Sequence, residues 1–151
     1  MKGFNNYTER EEFSIFKKFF LDHGRCKEMK KKEYFAEQGI VTTHAAYVEK
    51  GMFRYVCTDE NGCEHIVGYA FAGEYVGDYP QCIKKEKAIV SIQATTDSLI
   101  YYASAQEITN FFSTDKSTQE LEKILAEMEW IRILQVHFAP LMHWVGFNLN
   151  E

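Results

Sequence analysis

Glu74 and Asp78 lie four residues apart in a stretch, Gly73-Glu-Tyr-Val-Gly77-Asp78-Tyr79, that reads as a loop turning into a short helix. Neither these two nor Asp59 and Glu60 form a recognisable acid–base pair, because nothing in their spacing holds one carboxyl against another. The five histidines, His23, His44, His65, His137 and His143, are scattered, and the six-residue gap between the last two does not put them on one helical face as metal ligands. Cys26, Cys57, Cys63 and Cys82 contain no C-x-x-C pair. Their spacing reads as four unpaired thiols, with an iron–sulfur cluster as the alternative. There is no G-x-S-x-G and no Walker loop. The chain therefore carries no catalytic set and no metal site at sequence level, and what remains is binding. Tyr69, Phe71, Tyr75 and Tyr79 cluster around the Gly73–Asp78 stretch, as core or as the lining of a cavity.

The elements that must position this stretch are short strands. Gly39, Gly51, Gly62, Gly73 and Gly77 fall at turn spacing between alternating apolar segments. Phe53, Tyr55 and Cys57 alternate with Met52, Arg54 and Val56, Asp59-Glu-Asn-Gly62 is a hairpin signal, and His65–Phe71 is the returning strand. Ala88–Ala94 and Leu99–Ala103 read as two more strands around a turn at Thr96–Ser98. Such spacing predicts a barrel, sandwich or jelly roll.

Helices flank the strands. Thr8-Glu-Arg-Glu11 is a capping box, Phe13, Phe16 and Phe20 make an apolar stripe, and Gly24 is the stop. Ser104 caps a short helix to Phe112, with Glu107 at its third position. From about Lys116, Leu121, Ile124, Met128, Ile131, Gln135, Phe138, Met142 and Val145 recur every three or four residues. This is a heptad seam for a partner helix, Gln135 setting its register; the alternative is one face buried on the roll. Pro140 kinks or ends that helix. The expected divisions are a helical segment over 1–32, a β-roll over 33–103, and a short helix plus a long dimerisation helix over 104–151.

With 151 residues and 46% apolar content the chain is one domain with a packed core. A net charge of −5 argues against an electrostatic footprint for nucleic acid, and Lys30-Lys31-Lys32, flanked by Glu28 and Glu33, reads as a solvated turn. No run of apolar residues is long enough to span a membrane and no signal peptide is visible, so a cytoplasmic location is expected.

The order helix, glycine-punctuated roll, short helix, long heptad helix resembles the sensor domain of Crp/Fnr transcription regulators, best from about Glu33 to Ala103. The resemblance implies a mainly β fold with flanking helices, a double-stranded β-helix or jelly roll of the cyclic-nucleotide-binding type. The Gly73–Tyr79 segment is similar to the start of that family's phosphate-binding cassette. The implied effector site is Phe71, Gly73, Glu74, Tyr75, Val76, Gly77, Asp78, Tyr79, Lys87, Ala88 and Ile89. The implied dimer interface is Leu121, Ile124, Met128, Ile131, Gln135, Phe138 and Met142.

In cyclic-AMP binders of the family, backbone N–H groups and an arginine clamp the phosphate, and a glutamate after the cassette glycine accepts from the ribose hydroxyl. Here Asp78 stands for that glutamate, Ala88 falls at the arginine position and Ile89 at the following hydroxyl. No arginine occurs between Arg54 and Arg132, and Lys84, Lys85 and Lys87 cannot supply a planar fork. The expectation is a non-enzymatic regulatory domain that does not bind cyclic AMP tightly. No cofactor is assigned, and the effector is a cyclic nucleotide or another small molecule. The alternative is a cupin-like binding protein or metalloenzyme, for which Glu64-His65 is the only adjacent pair in the roll. The winged helix-turn-helix of the family is not seen after Gly146–Glu151, so contact with DNA would need a domain outside this sequence.

Overall fold

The computed structural model describes residues 11–114 and Lys123. Helix α1 (Glu11–His23) leads into β1 (Arg25–Met29), β2 (Tyr34–Ala36), β3 (His44–Lys50), β4 (Met52–Thr58), β5 (Glu64–Phe71) and β6 (Tyr75–Val76). Helix α2 (Tyr79–Lys84), β7 (Ser91–Ala94), β8 (Ser98–Ser104) and α3 (Ala105–Phe112) follow. The strands form two four-stranded antiparallel sheets, in the orders β1-β8-β3-β6 and β2-β7-β4-β5. This is a mainly β jelly-roll sandwich with helices against one sheet.

Alternation along the first sheet builds two cores. Ala46, Val48, Val76 and Ile100 join Met29, Phe53, Tyr55, Cys57 and Ile92 between the sheets. Their sequence neighbours Ala45, Tyr47, Tyr75 and Ala103 face the other way, against Phe16, Phe19 and Phe20 of α1, Cys82 of α2, and Ile108 and Phe112 of α3. The first sheet is therefore covered on both faces, and each large side chain buried in it contributes about 1.5–3 kcal/mol. The α1 stripe is wider than Phe16 and Phe20, because Phe19 also packs, with its ring 4.5 Å from that of Phe111. The helix stops where the Gly24 N–H donates to Phe20 O at 2.8 Å.

All five turn glycines have positive φ. At Gly51, with φ +100°, an added Cβ would lie 2.8 Å from Ser98 Cα, so only glycine lets β3 turn into β4 beside β8. The Asp59–Gly62 turn is closed by Gly62 N–H to Asp59 O at 3.0 Å, and Asp59 Oδ1 accepts from the amides of Asn61 and Cys63. The Ser104–Glu107 capping box is reciprocal, at 3.1 Å each way.

Two expectations change. The segment expected to be helical over 1–32 is helical only to His23 in its described part, and Arg25–Met29 is a strand paired with β8. Four of its five residues are exposed, so no alternation announces it. The strand expected from Ala88 begins at Ser91, because the amides of Ile89 and Val90 bond a side chain and not a neighbouring strand. Thr8 and the seam Leu121, Ile124, Met128, Ile131, Gln135, Phe138 and Met142 lie outside the described residues.

Candidate functional site

The site is the segment that leaves β5, crosses the end of the roll through β6 and α2, and returns to β7. Its first part is a tight turn. The Glu74 N–H donates to Phe71 O at 3.0 Å, and Glu74 Oε1 accepts from the Phe71 N–H at 2.7 Å, which uses the Glu74 carboxylate locally. Gly73 N–H donates to Val48 O and Val48 N–H to Glu74 O, which locks the turn onto β3. Tyr75 then faces the helices and Val76 the inter-sheet core. Burial pushes the Tyr75 phenol well above its usual range.

Gly77 sits where the chain passes closest to β3. Its φ is +154°, and an added Cβ would lie 3.0 Å from that of Ala45. Its N–H donates to the Tyr55 hydroxyl at 3.3 Å. Asp78 comes next, at the start of α2, yet its side chain does not cap that helix. It turns inward, 1% exposed, and Oδ2 accepts from the Ile89 N–H at 2.8 Å. The Val90 amide also bonds this carboxylate. Oδ1 is buried with no hydrogen-bond partner among the described residues. Burial raises the Asp78 pKa to about 6, against the pull of the two amides. Cys57, inward on β4, donates its thiol to Ile89 O at 3.5 Å, and burial with the Asp78 charge lifts that thiol to about 11.

The structure brings Gly77, Asp78, Ala88 and Ile89 together and separates the others. Glu74 belongs to the turn, Tyr75 to the helix layer, and Phe71 stacks with Tyr69 at 6.4 Å on β5. Tyr79 shows its backbone in α2, and its side chain lies outside the described residues. Ala88 is buried, its N–H donating to Ile40 O and its carbonyl accepting from Gly39 N–H. Lys84, Lys85 and Lys87 are exposed. The described arginines are used elsewhere: Arg54 Nε donates to Gln93 Oε1 at 2.8 Å, and Arg25 pairs with Glu107 at 3.4 Å. Tyr55, Cys57 and Val90 complete the inner wall and were not singled out from sequence. For Tyr55 and Cys57 the signal was a polar atom on two successive positions of the apolar inward row of β4, and Val90 gave none.

The other candidates stay apart. His65 Nε2 is 2.9 Å from Asp59 Oδ2 at the hairpin, and His44 pairs with Thr43 at 2.9 Å. Among the described residues no three His, Cys, Asp or Glu side chains come together to hold a metal, and all four cysteines are free. No helix among them is long and apolar enough to cross a membrane.

A family model described as a cyclic nucleotide-binding domain matches residues 26–115. No curated protein matches the sequence. Among solved structures, the chain is similar to the c-di-GMP-responsive global regulator CLP of Xanthomonas campestris, with a TM-score of 0.68 and 18% identity over 85% of this chain and 63% of that one. It is similar to a crp/fnr-family transcriptional regulator of Eubacterium rectale, with a TM-score of 0.65 and 16% identity over 81% of this chain and 57% of that one. It also resembles the regulatory subunit of a cAMP-independent protein kinase A from Trypanosoma cruzi bound to guanosine, with a TM-score of 0.52 and 14% identity over 70% and 40%. The chain thus spans about 60% of the length of the two bacterial regulators.

Proposed function

Since the chain belongs to the cyclic nucleotide-binding domain family, we propose that it is the effector-sensing domain of a Crp/Fnr-type transcription regulator and that it does not bind cyclic AMP tightly. One observation carries the second half of that reading. The residue at the arginine position is Ala88, buried and without a polar side chain, while the nearby lysines point to solvent. A cyclic phosphate there would meet backbone amides and the Asp78 carboxylate with no cation to balance it. The guanosine-bound kinase subunit and the c-di-GMP-responsive regulator are consistent with other effectors on this fold.

The sensing route follows from packing. Asp78 ties the start of α2 to Ile89, and Cys82 of α2 is buried against Phe16, Phe20, Ile108 and Phe112. A ligand that displaces Asp78 from the Ile89 and Val90 amides moves α2 against α1 and α3, and so shifts the chain beyond Thr114. Such a switch needs different affinities for its two positions. The heptad seam through Ile131 and Phe138 makes the domain a homodimer, and DNA is reached through a domain outside this sequence. Calorimetric titration with cyclic AMP and cyclic GMP, with light scattering on the same sample, tests the reading. A dimer with no binding is expected, and a cyclic-AMP Kd below about 10 μM overturns the second half.

A further inference from the structure

Helices α1 and α3 lie side by side and antiparallel. Arg25, just past the end of α1, pairs with Glu107 in the first turn of α3 at 3.4 Å, and nearer the start of α1 the Phe16 ring lies 5.6 Å from that of Phe112. Between their outer faces runs an open groove of about 490 Å³. Its α1 wall includes Ile15, Phe19 and Asp22 and its α3 wall Glu107, Phe111 and Thr114, each set at the spacing of one helical face. The floor is apolar: the Phe19 and Phe111 rings are 4.5 Å apart, and Ile15 stands 42% exposed on the same wall as Phe19. An aliphatic side chain left open beside an aromatic floor marks a face suited to another apolar element.

The chain itself supplies one. Thr114 lines the groove at the place where α3 closes: its hydroxyl donates to Phe111 O at 2.8 Å, and the Ser113 hydroxyl donates to Thr109 O at 3.0 Å. Shortly after, Ser117-Thr-Gln-Glu120 has the capping-box pattern of a new helix start. A connection this short favours successive helices that lie antiparallel and in contact. Leu121, Ile124, Leu125 and Met128 then follow at i, i+3, i+4 and i+7. Lys123, the one described residue of this stretch, is helical and exposed, and at about 100° per residue it falls on the side away from those four. The stripe and each wall of the groove cover the same length, about 10 Å at a helical rise. We propose that residues 121–128 return along the groove as a helix and lay this stripe on Ile15, Phe19 and Phe111 of their own chain. The seam from Ile131 onward is left for the partner helix. A second copy would compete with a segment tethered to the rim of the groove, at an effective concentration on the order of millimolar. The proposal goes beyond the effector-sensing reading and does not depend on it.

Cross-linking in the full chain tests it, with the exposed Cys26 and Cys63 changed to serine. Antiparallel to α3, Leu121 lies at the Ile15 end and Met128 at the Asp22 end. The pairs Ile15→Cys with Leu121→Cys, and Asp22→Cys with Met128→Cys, are treated with a short bis-maleimide and read by mass spectrometry and denaturing gel. A bridge within one chain is expected for both pairs. Covalent dimers would give the groove to a second copy, and no bridge at either pair would place the segment elsewhere; each overturns the proposal. Limited trypsin digestion of Ile15→Asp, in the natural cysteine background, is the second measurement. Cleavage after Lys123 is expected to quicken at least about tenfold while cleavage after Arg54, inside the roll, keeps its rate. An unchanged rate at Lys123 in a variant folded by circular dichroism also overturns the proposal. Should Ile15→Asp fail to fold, the cross-links alone decide.

Discussion

Asp78→Asn should make the protein more stable at neutral and alkaline pH, and that gain should vanish in acid. Asp78 titrates at about 6 in the folded chain, against a reference value of 3.8. A carboxyl with a raised folded pKa holds more protons folded than unfolded between those two values. Stability therefore falls as pH climbs from about 4 to about 6 and is flat above. The rise corresponds to about 3 kcal/mol of destabilisation at pH 8. Asparagine keeps an oxygen for the Ile89 and Val90 amides and puts an uncharged NH2 where Oδ1 lies. That NH2 is left unpaired, at about 1 kcal/mol. The net expectation is a gain of about 2 kcal/mol near pH 8 that turns into a loss of about 1 kcal/mol near pH 4. Urea unfolding followed by circular dichroism at pH values across that range measures it. A variant less stable than wild type at pH 8, or a difference that stays flat within about 0.5 kcal/mol, would refute the burial of an ionised Asp78.

Other perturbations follow from the same geometry. Gly77→Ala puts a Cβ 3.0 Å from Ala45 Cβ at a φ of +154°, and a loss of about 1–3 kcal/mol in urea unfolding is expected; an unchanged midpoint contradicts the close approach. Ser104→Ala removes half of a reciprocal capping box, and a loss of about 0.5–2 kcal/mol is expected by thermal melting, with no change meaning that the cap contributes nothing. Ile131→Glu or Phe138→Glu should convert the proposed dimer to a monomer in light scattering. Persistence of a dimer in both would place the seam against the roll instead.

What could be seen in the sequence was local chemistry. The glycines at 39, 51, 62, 73 and 77 all take positive φ, because a turn announces itself through the one residue that tolerates it. The Phe53-Tyr55-Cys57 row was legible because alternation and burial coincide there. β1 was not legible: Arg25, Cys26, Lys27 and Glu28 are exposed, and only pairing with β8 makes them a strand. The place of Asp78 in the site could be read from its spacing to Gly77, but its direction could not. Its hydrogen-bond partner is eleven residues away, and that bond also erased the first residues of the strand expected from Ala88. The aromatic group around Gly73 was split for a similar reason, since the two faces of β6 send Tyr75 and Val76 to different cores.

The placement of the thiols gives the molecule a built-in clock. Cys26 and Cys63 are open to solvent, while Cys57 is sealed in the inter-sheet wall and Cys82 in the helix layer. With the two open ones changed to serine, alkylating reagent can reach a thiol only when its own compartment parts. The rate at Cys57 then times excursions of the roll, and the rate at Cys82 times excursions of α2 away from α1 and α3. Two rates that rise and fall together across temperature would mean that the two compartments open as one unit, and rates that diverge would mean that each moves alone.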